Sequence, residues 1–184
     1  MKKAILTLSI LATLNSSVAI AASTGTITFN GELTDTTCEV DVNGQGGDAT
    51  VTLPTVSINQ LKEPGNTAGR TSFNMKLTEC VIGTEGGHTK VSAFFQPGNT
   101  VDLSTGRLKN VAGDATMVDL QLLDASGNYK PINVGNTDQV NDMTYVDIKS
   151  DGSALLPYAV EYYANGQTTP GTVSSSVVYN LQYK

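Results

Sequence analysis

The sequence is poor in the residues that most enzyme chemistry needs. It holds one histidine, His88, set in the turn Gly86-Gly87-His88-Thr89, and two cysteines, Cys38 and Cys80. A histidine in a glycine turn is ordinarily solvated, and two thiols with one imidazole make a poor metal set. There is no CxxC pair, which excludes a thioredoxin-like redox site. GxSxG, HExxH and a phosphate-cradling glycine loop are also missing. The carboxylates Asp35, Glu39, Asp114, Asp119, Asp124, Asp138, Asp142 and Asp147 are scattered among turn positions, where Asp ordinarily hydrogen-bonds the backbone. The sequence therefore carries no enzyme signature, and no cofactor or metal is expected. Basic residues are scarce as well, 11 Lys and Arg against 17 Asp and Glu, which disfavours nucleic acid and anionic lipid as partners.

Long apolar runs are missing after the first residues. Lys2 and Lys3 precede the uncharged, mostly apolar stretch Ala4 to Leu14, and Ala19 and Ala21 form a small-x-small site. This is the build of a secretory signal peptide over residues 1–21, with cleavage after Ala21 or Ala22. The apolar run falls short of the about 20 residues a spanning helix needs, and Asn15, Ser16 and Ser17 interrupt it. What remains after cleavage suits one domain with a real core. Export places Cys38 and Cys80 in an oxidising compartment, so a disulfide between them is expected. A crosslink of that span stabilises by about 4 kcal/mol in the chain-entropy account.

Helical spacing of Leu, Ala, Glu and Lys is missing too, while Thr, Val, Gly, Asn and Asp are abundant, which favours strands. Period-two alternation predicts strands over 26–34, 39–42, 49–53, 71–77, 90–96, 118–123, 155–163 and 172–183. Turn signals separate them at Asn43-Gly44, Pro54, Gly83 to Gly87, Pro97-Gly98, Asp124 to Asn128 and Asn165-Gly166. A short helical turn is predicted over 57–62. This spacing argues for a two-sheet sandwich, and it equally describes a jelly roll or a barrel.

Both ends of the secreted part are patterned. Val173, Ser175, Val177, Tyr179, Leu181 and Tyr183 share one strand face, and the sequence stops at Lys184. Terminal segments usually fray, so this much patterned apolar surface must be paired and buried. Ile27, Phe29, Gly31 and Leu33 alternate in the same way near the start. That segment is either the first strand of its own sandwich or a strand that fills the open edge of another molecule. Pattern alone leaves both readings open.

The residues just named resemble the pilins assembled by the chaperone–usher pathway, close to the major subunits of type 1 and P-type fimbriae. Thr26-Ile27-Thr28-Phe29-Asn30-Gly31-Glu32-Leu33 is similar to the family's donor-strand motif, with Gly31 as its glycine. Cys38 and Cys80 match the two pilin cysteines. Leu120 to Asp124 with Gly127, and Tyr162-Tyr163-Ala164 with Gly166, resemble the central strand and the stretch before the last strand. Gly171, penultimate Tyr183 and the alternating residues between them resemble the chaperone-recognition motif.

The resemblance implies an all-β fold, an incomplete immunoglobulin-like β-sandwich lacking its final strand and completed by a donor strand from another subunit. It implies a donor-strand extension over 22–35 and a pilin domain over 36–184. It implies a structural subunit of a bacterial surface fimbria, exported through the periplasm and contributing to cell adhesion. The implied partners are a periplasmic pilus chaperone, an outer-membrane usher, and copies of itself and related pilins in a linear fibre. Ile27, Phe29, Gly31 and Leu33 would form the donor strand. Gly171, Val177, Tyr179, Leu181, Tyr183 and Lys184 would form the groove wall and the surface that the chaperone grips. Two further readings stand beside this one: a minor or adaptor subunit, and a secreted β-sandwich that binds glycans. The latter would need tyrosines such as Tyr129, Tyr145 and Tyr158 to be exposed and brought together.

Overall fold

The structure is a computed structural model that describes residues 25–34, 36–81 and 88–184. The signal-peptide segment, Asp35 and the glycine turn over 82–87 lie outside the described residues. The chain divides into two units, Met1–Glu32 and Leu33–Lys184. In the first unit, residues 25–32 form no helix or strand, and Ile27 and Phe29 are 78% and 88% exposed. The strand expected over 26–34 is therefore not formed. Alternation marks two faces, but a strand also needs an open edge to hydrogen-bond, and among the described residues no strand pairs with this segment.

The second unit is all-β in its extended structure. Its elements are β1 (Thr37–Val42), β2 (Thr67–Val81), β3 (Lys90–Phe95), β4 (Val101–Asp102), β5 (Arg107–Lys109), β6 (Val118–Asp124), β7 (Lys130–Pro131), β8 (Val146–Asp147), β9 (Ala154–Ala164) and β10 (Tyr179–Tyr183). A short α1 (Gln139–Asp142) and a 3-10 turn (Ile58–Gln60) complete it. The 3-10 turn falls within the segment predicted over 57–62, and Ser57 caps it by accepting from Asn59 N at 3.2 Å. All strand pairings are antiparallel. One sheet runs β1-β2-β9-β6-β5-β4, with β7 also on β6, and the other runs β10-β3-β8. This is an immunoglobulin-like sandwich with an incomplete second sheet.

The core lies between the sheets. In β2 and β9 alternate residues turn inward, so that Phe73, Met75 and Leu77 face Tyr158, Leu156 and Ala154 across the ladder. Leu120 and Leu122 of β6 continue this layer, and Val91, Ala93 and Phe95 of β3 close it from the second sheet. Burying each large apolar side chain stabilises by about 1.5–3 kcal/mol. Phe95 meets the Tyr158 ring edge-on, with centroids 5.2 Å apart. Cys38 and Cys80 are joined, which ties edge strand β1 to β2.

One edge of β3 is completed by side chains where β8 stops. Ala93 N donates to Tyr158 Oη at 3.0 Å. Buried Gln139 binds Phe95 twice, its Nε2 donating to Phe95 O and its Oε1 accepting from Phe95 N, both at 3.0 Å. The Gln139 amide thus replaces one rung of a missing strand. Tyr158, which the glycan-binding reading needs exposed, is buried, because β9 turns its even positions from 154 to 160 into the core.

Candidate functional site

The strand predicted over 172–183 forms only at β10; its 172–178 part and the segment predicted over 49–53 have no ladder partners among the described residues, and an open groove lies between these two segments. They form its two rails. The first follows the turn 43–47, which Asp41 Oδ1 holds by accepting from Gly46 N at 2.8 Å. Asn43, Gly44 and Gly46 take positive φ there, which suits asparagine and glycine. Gln45 then grips Thr50 as a strand would: its Nε2 donates to Thr50 O at 3.2 Å, and its Oε1 accepts from Thr50 N at 3.1 Å. Val51 and Leu53 lean onto the core.

The second rail is hydrogen-bonded along one edge only. The carbonyls of Thr172, Ser174 and Val178 accept from the amides of Ala115, Val111 and Gln96 at 3.1, 3.0 and 2.8 Å, and Ser176 O accepts from Thr100 Oγ1 at 2.6 Å. Among the described residues, no hydrogen bond reaches the backbone of Val173, Ser175 or Val177. Backbone polar groups alternate sides along extended chain, so these odd positions point their N–H and C=O to the free edge. Their side chains turn to the core side, and Val173 and Val177 pack against it.

The groove has a volume of about 710 Å³. Its floor is apolar, formed by Val42, Phe73, Met75, Phe95, Leu108, Leu120, Leu122, Val160 and Tyr162. The rails meet at one bridge, where Tyr179 Oη donates to Gly47 O at 2.7 Å. Burial, and secondarily Asp48, push the Tyr179 phenol above its ordinary range. A groove with an apolar floor and a rail whose odd positions leave their backbone groups free is built to take an extended chain. The main chain of such a guest supplies hydrogen bonds, and alternate side chains supply the fit.

The residues expected at the groove wall divide in two. Val177 and Tyr179 line the groove. Leu181 and Tyr183 lie further along the same face, where β10 pairs with β3 at Ala93 and Val91, and both pack against the core. Lys184 does not fray: its carbonyl oxygen accepts from Thr89 N at 2.9 Å and Lys90 N at 2.8 Å, and its Nζ sits 4.0 Å from the centroid of the Tyr145 ring. Gly171 opens the second rail. A Cβ there would collide with the backbone of Asp114 and Ala115. In the other unit, Gly31 has open space where a side chain would stand.

Several of the carboxylates and tyrosines have local partners. Asp124 accepts from Gly127 N at 3.0 Å and Thr144 N at 2.8 Å, as a turn aspartate does. Asp119 pairs with Arg107 at 3.4 Å and accepts from Asn165 at 2.8 Å. Tyr129 lies under Arg70 and Tyr145 under Lys184. Among the described residues there is no cluster of His, Cys, Asp and Glu that could hold a metal. Sequence reasoning missed the first rail as a site. Val51 and Leu53 were legible as a short strand, but the Gln45 grip that replaces its ladder has no signature.

The FimA family, described as type-1 fimbrial protein A, matches residues 53–184. The chain belongs to the type-1 fimbrial protein family. This fimbrial subunit is 46% identical over 170 residues to the major fimbrial subunit SMF-1 of Stenotrophomonas maltophilia strain K279a, covering 90% of this chain and 96% of that one. It is 38% identical over 185 residues to the F17 fimbrial protein of Escherichia coli, covering 100% of both. Its fold matches the crystal structure of the P pilus rod subunit PapA with a TM-score of 0.58 at 21% identity, over 80% of this chain and 99% of that one. The protein is a structural subunit of a bacterial surface fimbria, and its fold is the open, incomplete sandwich of pilus rod subunits.

Proposed function

We propose that the groove takes residues 25–34 of a neighbouring copy, and that repetition of this step builds the fibre. The observation that carries the reading is the groove itself: an apolar floor between two backbone rails that pair with no strand. The exposed Ile27, Phe29 and Leu33 have the alternation the groove requires. They enter pockets along the floor, and Gly31 passes where the groove is too shallow for a side chain. In this reading residues 1–21 are the removed export signal, 22–35 the extension and 36–184 the receiving domain. One surface gives and a different surface receives, so the contact does not close on itself and a linear filament results.

Before assembly, a periplasmic chaperone lends a strand to the same groove and holds Val177, Tyr179, Leu181 and Tyr183 with the terminal Lys184. At the outer-membrane usher, the next subunit's extension replaces that strand. The relative at 46% identity is a major fimbrial subunit, which supports a repeated, shaft-building role and attachment through the assembled fibre.

Gly31→Asn tests the assignment. The variant is expected to fold and be held by its chaperone, because a Cβ at this position meets open space in the subunit itself. It is expected to yield no fibres, because the new side chain has no pocket in a neighbour's groove. Normal fibre yield from this variant would falsify the placement of Gly31.

A further inference from the structure

The first rail is held in place by few contacts. Among the described residues, 48–56 lies in no ladder, and its backbone hydrogen-bonds only through Thr50, to Gln45 of the preceding turn. Val51 and Leu53 rest on the core and are only partly buried. One hydrogen bond ties the start of this rail to the second rail, from Tyr179 Oη to Gly47 O at 2.7 Å.

An open apolar groove has a reason to close. Drawing the rails together would bury part of the floor. It would also let the free N–H and C=O groups of Val173, Ser175 and Val177 pair with the first rail. Paired strands stand about 4.8 Å apart, whereas a groove that admits one strand between two rails needs roughly twice that spacing. The bridge works against closure, because the whole Tyr179 ring and a 2.7 Å hydrogen bond stand between the two chains.

We propose that Tyr179 is a positioning residue for subunit joining: its ring and its bond to Gly47 space the rails and keep them from pairing with each other. The purpose of this spacing rests on the strand-filled groove proposed above. The spacer is anchored on the firmer side. Tyr179 belongs to β10, stands opposite Phe95 of β3 and packs against the core. The loosely held rail is tied to its tip. A tyrosine suits both ends, with a rigid apolar ring at the core and a hydroxyl for the carbonyl.

A cysteine pair across the rails reads their spacing. Both rails line the groove as they leave the bridge, so Ala49 and Val177 stand two residues from it on opposite sides. A disulfide needs Cα atoms within about 7 Å, which paired strands satisfy and rails two spacings apart do not. In the full chain, purified as a monomer, Ala49→Cys with Val177→Cys is expected to link slowly while Tyr179 is native. Tyr179→Phe keeps the ring and loses the tie. It should raise the 49–177 link about threefold to tenfold, the range that one net hydrogen bond corresponds to. Tyr179→Leu also shortens the spacer and should raise the link further. Tyr145→Phe, which removes another hydroxyl bonded to a carbonyl, should leave it unchanged. A merely structural Tyr179 would lower the urea midpoint without raising the link. A peptide with the sequence of residues 25–34 should suppress the link in every variant, and should bind Tyr179→Phe more weakly, in proportion to the loss of the open form. If the peptide binds the native chain but neither Tyr179→Phe nor Tyr179→Leu raises the link, the spacer is overturned while the strand-filled groove stands. If the peptide neither binds the native chain nor suppresses the link in the variants, strand filling fails and the spacer's purpose with it.

Discussion

Gln139 shows how single side chains finish this fold. It sits on a four-residue helix, 1% exposed, and meets both backbone groups of Phe95. Replacing it with Ala leaves a buried N–H and C=O without this partner, which costs roughly 1–3 kcal/mol. Urea unfolding of the unassembled Gln139→Ala chain checks this, and an unchanged midpoint would show that the rung is dispensable. Nothing in the sequence announces it, because a buried glutamine reads as a surface one until its backbone partner is known. Tyr158 was hidden from sequence in the same way, since alternation marks a strand's faces without saying which is inside.

Tyrosines make the fold sensitive to high pH. Burial raises the phenols of Tyr145, Tyr158, Tyr162, Tyr179 and Tyr183 above the ordinary value of 10.0. Above that value the unfolded chain gives up these protons while the folded chain keeps them. The unfolded state then binds fewer protons, so the tyrosines' contribution to stability is fully present below pH about 10 and declines as pH rises beyond it. Ultraviolet titration should show tyrosinate appearing together with loss of β-structure. Full ionisation of all tyrosines with the fold intact would contradict this.

At the level of elements, the strands that sequence pattern predicted and the fold contains are those whose partners lie in the same chain. Alternation over 71–77, 90–96, 118–123 and 155–163 marks β2, β3, β6 and β9, and each extends or ends within a few residues of the prediction. The patterned segments 26–34, 49–53 and 172–178 form no ladder, although their alternation is as clean. Alternation records which side chains are apolar, and the ladder depends on a neighbour that sequence alone does not place. The short β4, β5, β7 and β8 were missed because two or three residues carry no period.

Gly171 is the hinge point of the second rail. Its missing side chain lets the chain pass the backbone of Asp114 and Ala115, and a methyl group there forces one of the two to move. Gly171→Ala is expected to cost about 1–3 kcal/mol, as overpacking of a fixed backbone does. It should also lower fibre yield by displacing Val173 and Ser175. Denaturation of the unassembled chain and fibre recovery read the two effects separately, and native values for both would remove the close approach from the account.

The unit Leu33–Lys184 is a sandwich with one strand's space left open. The cystine ties β1 to β2, and the bridge from Tyr179 to Gly47 spans the rails, so the groove keeps its walls for the strand proposed to fill it. The match to the type-1 fimbrial protein family fits a part whose work is mechanical. The measurement that tests the central claim most directly is gel electrophoresis of fibres sheared from cells, unboiled and boiled, beside cells making a chain that lacks residues 25–33. Strand exchange predicts a ladder that withstands detergent until boiled and is absent without that segment. A single monomer band from both chains, or an unchanged ladder from the shortened one, would contradict it.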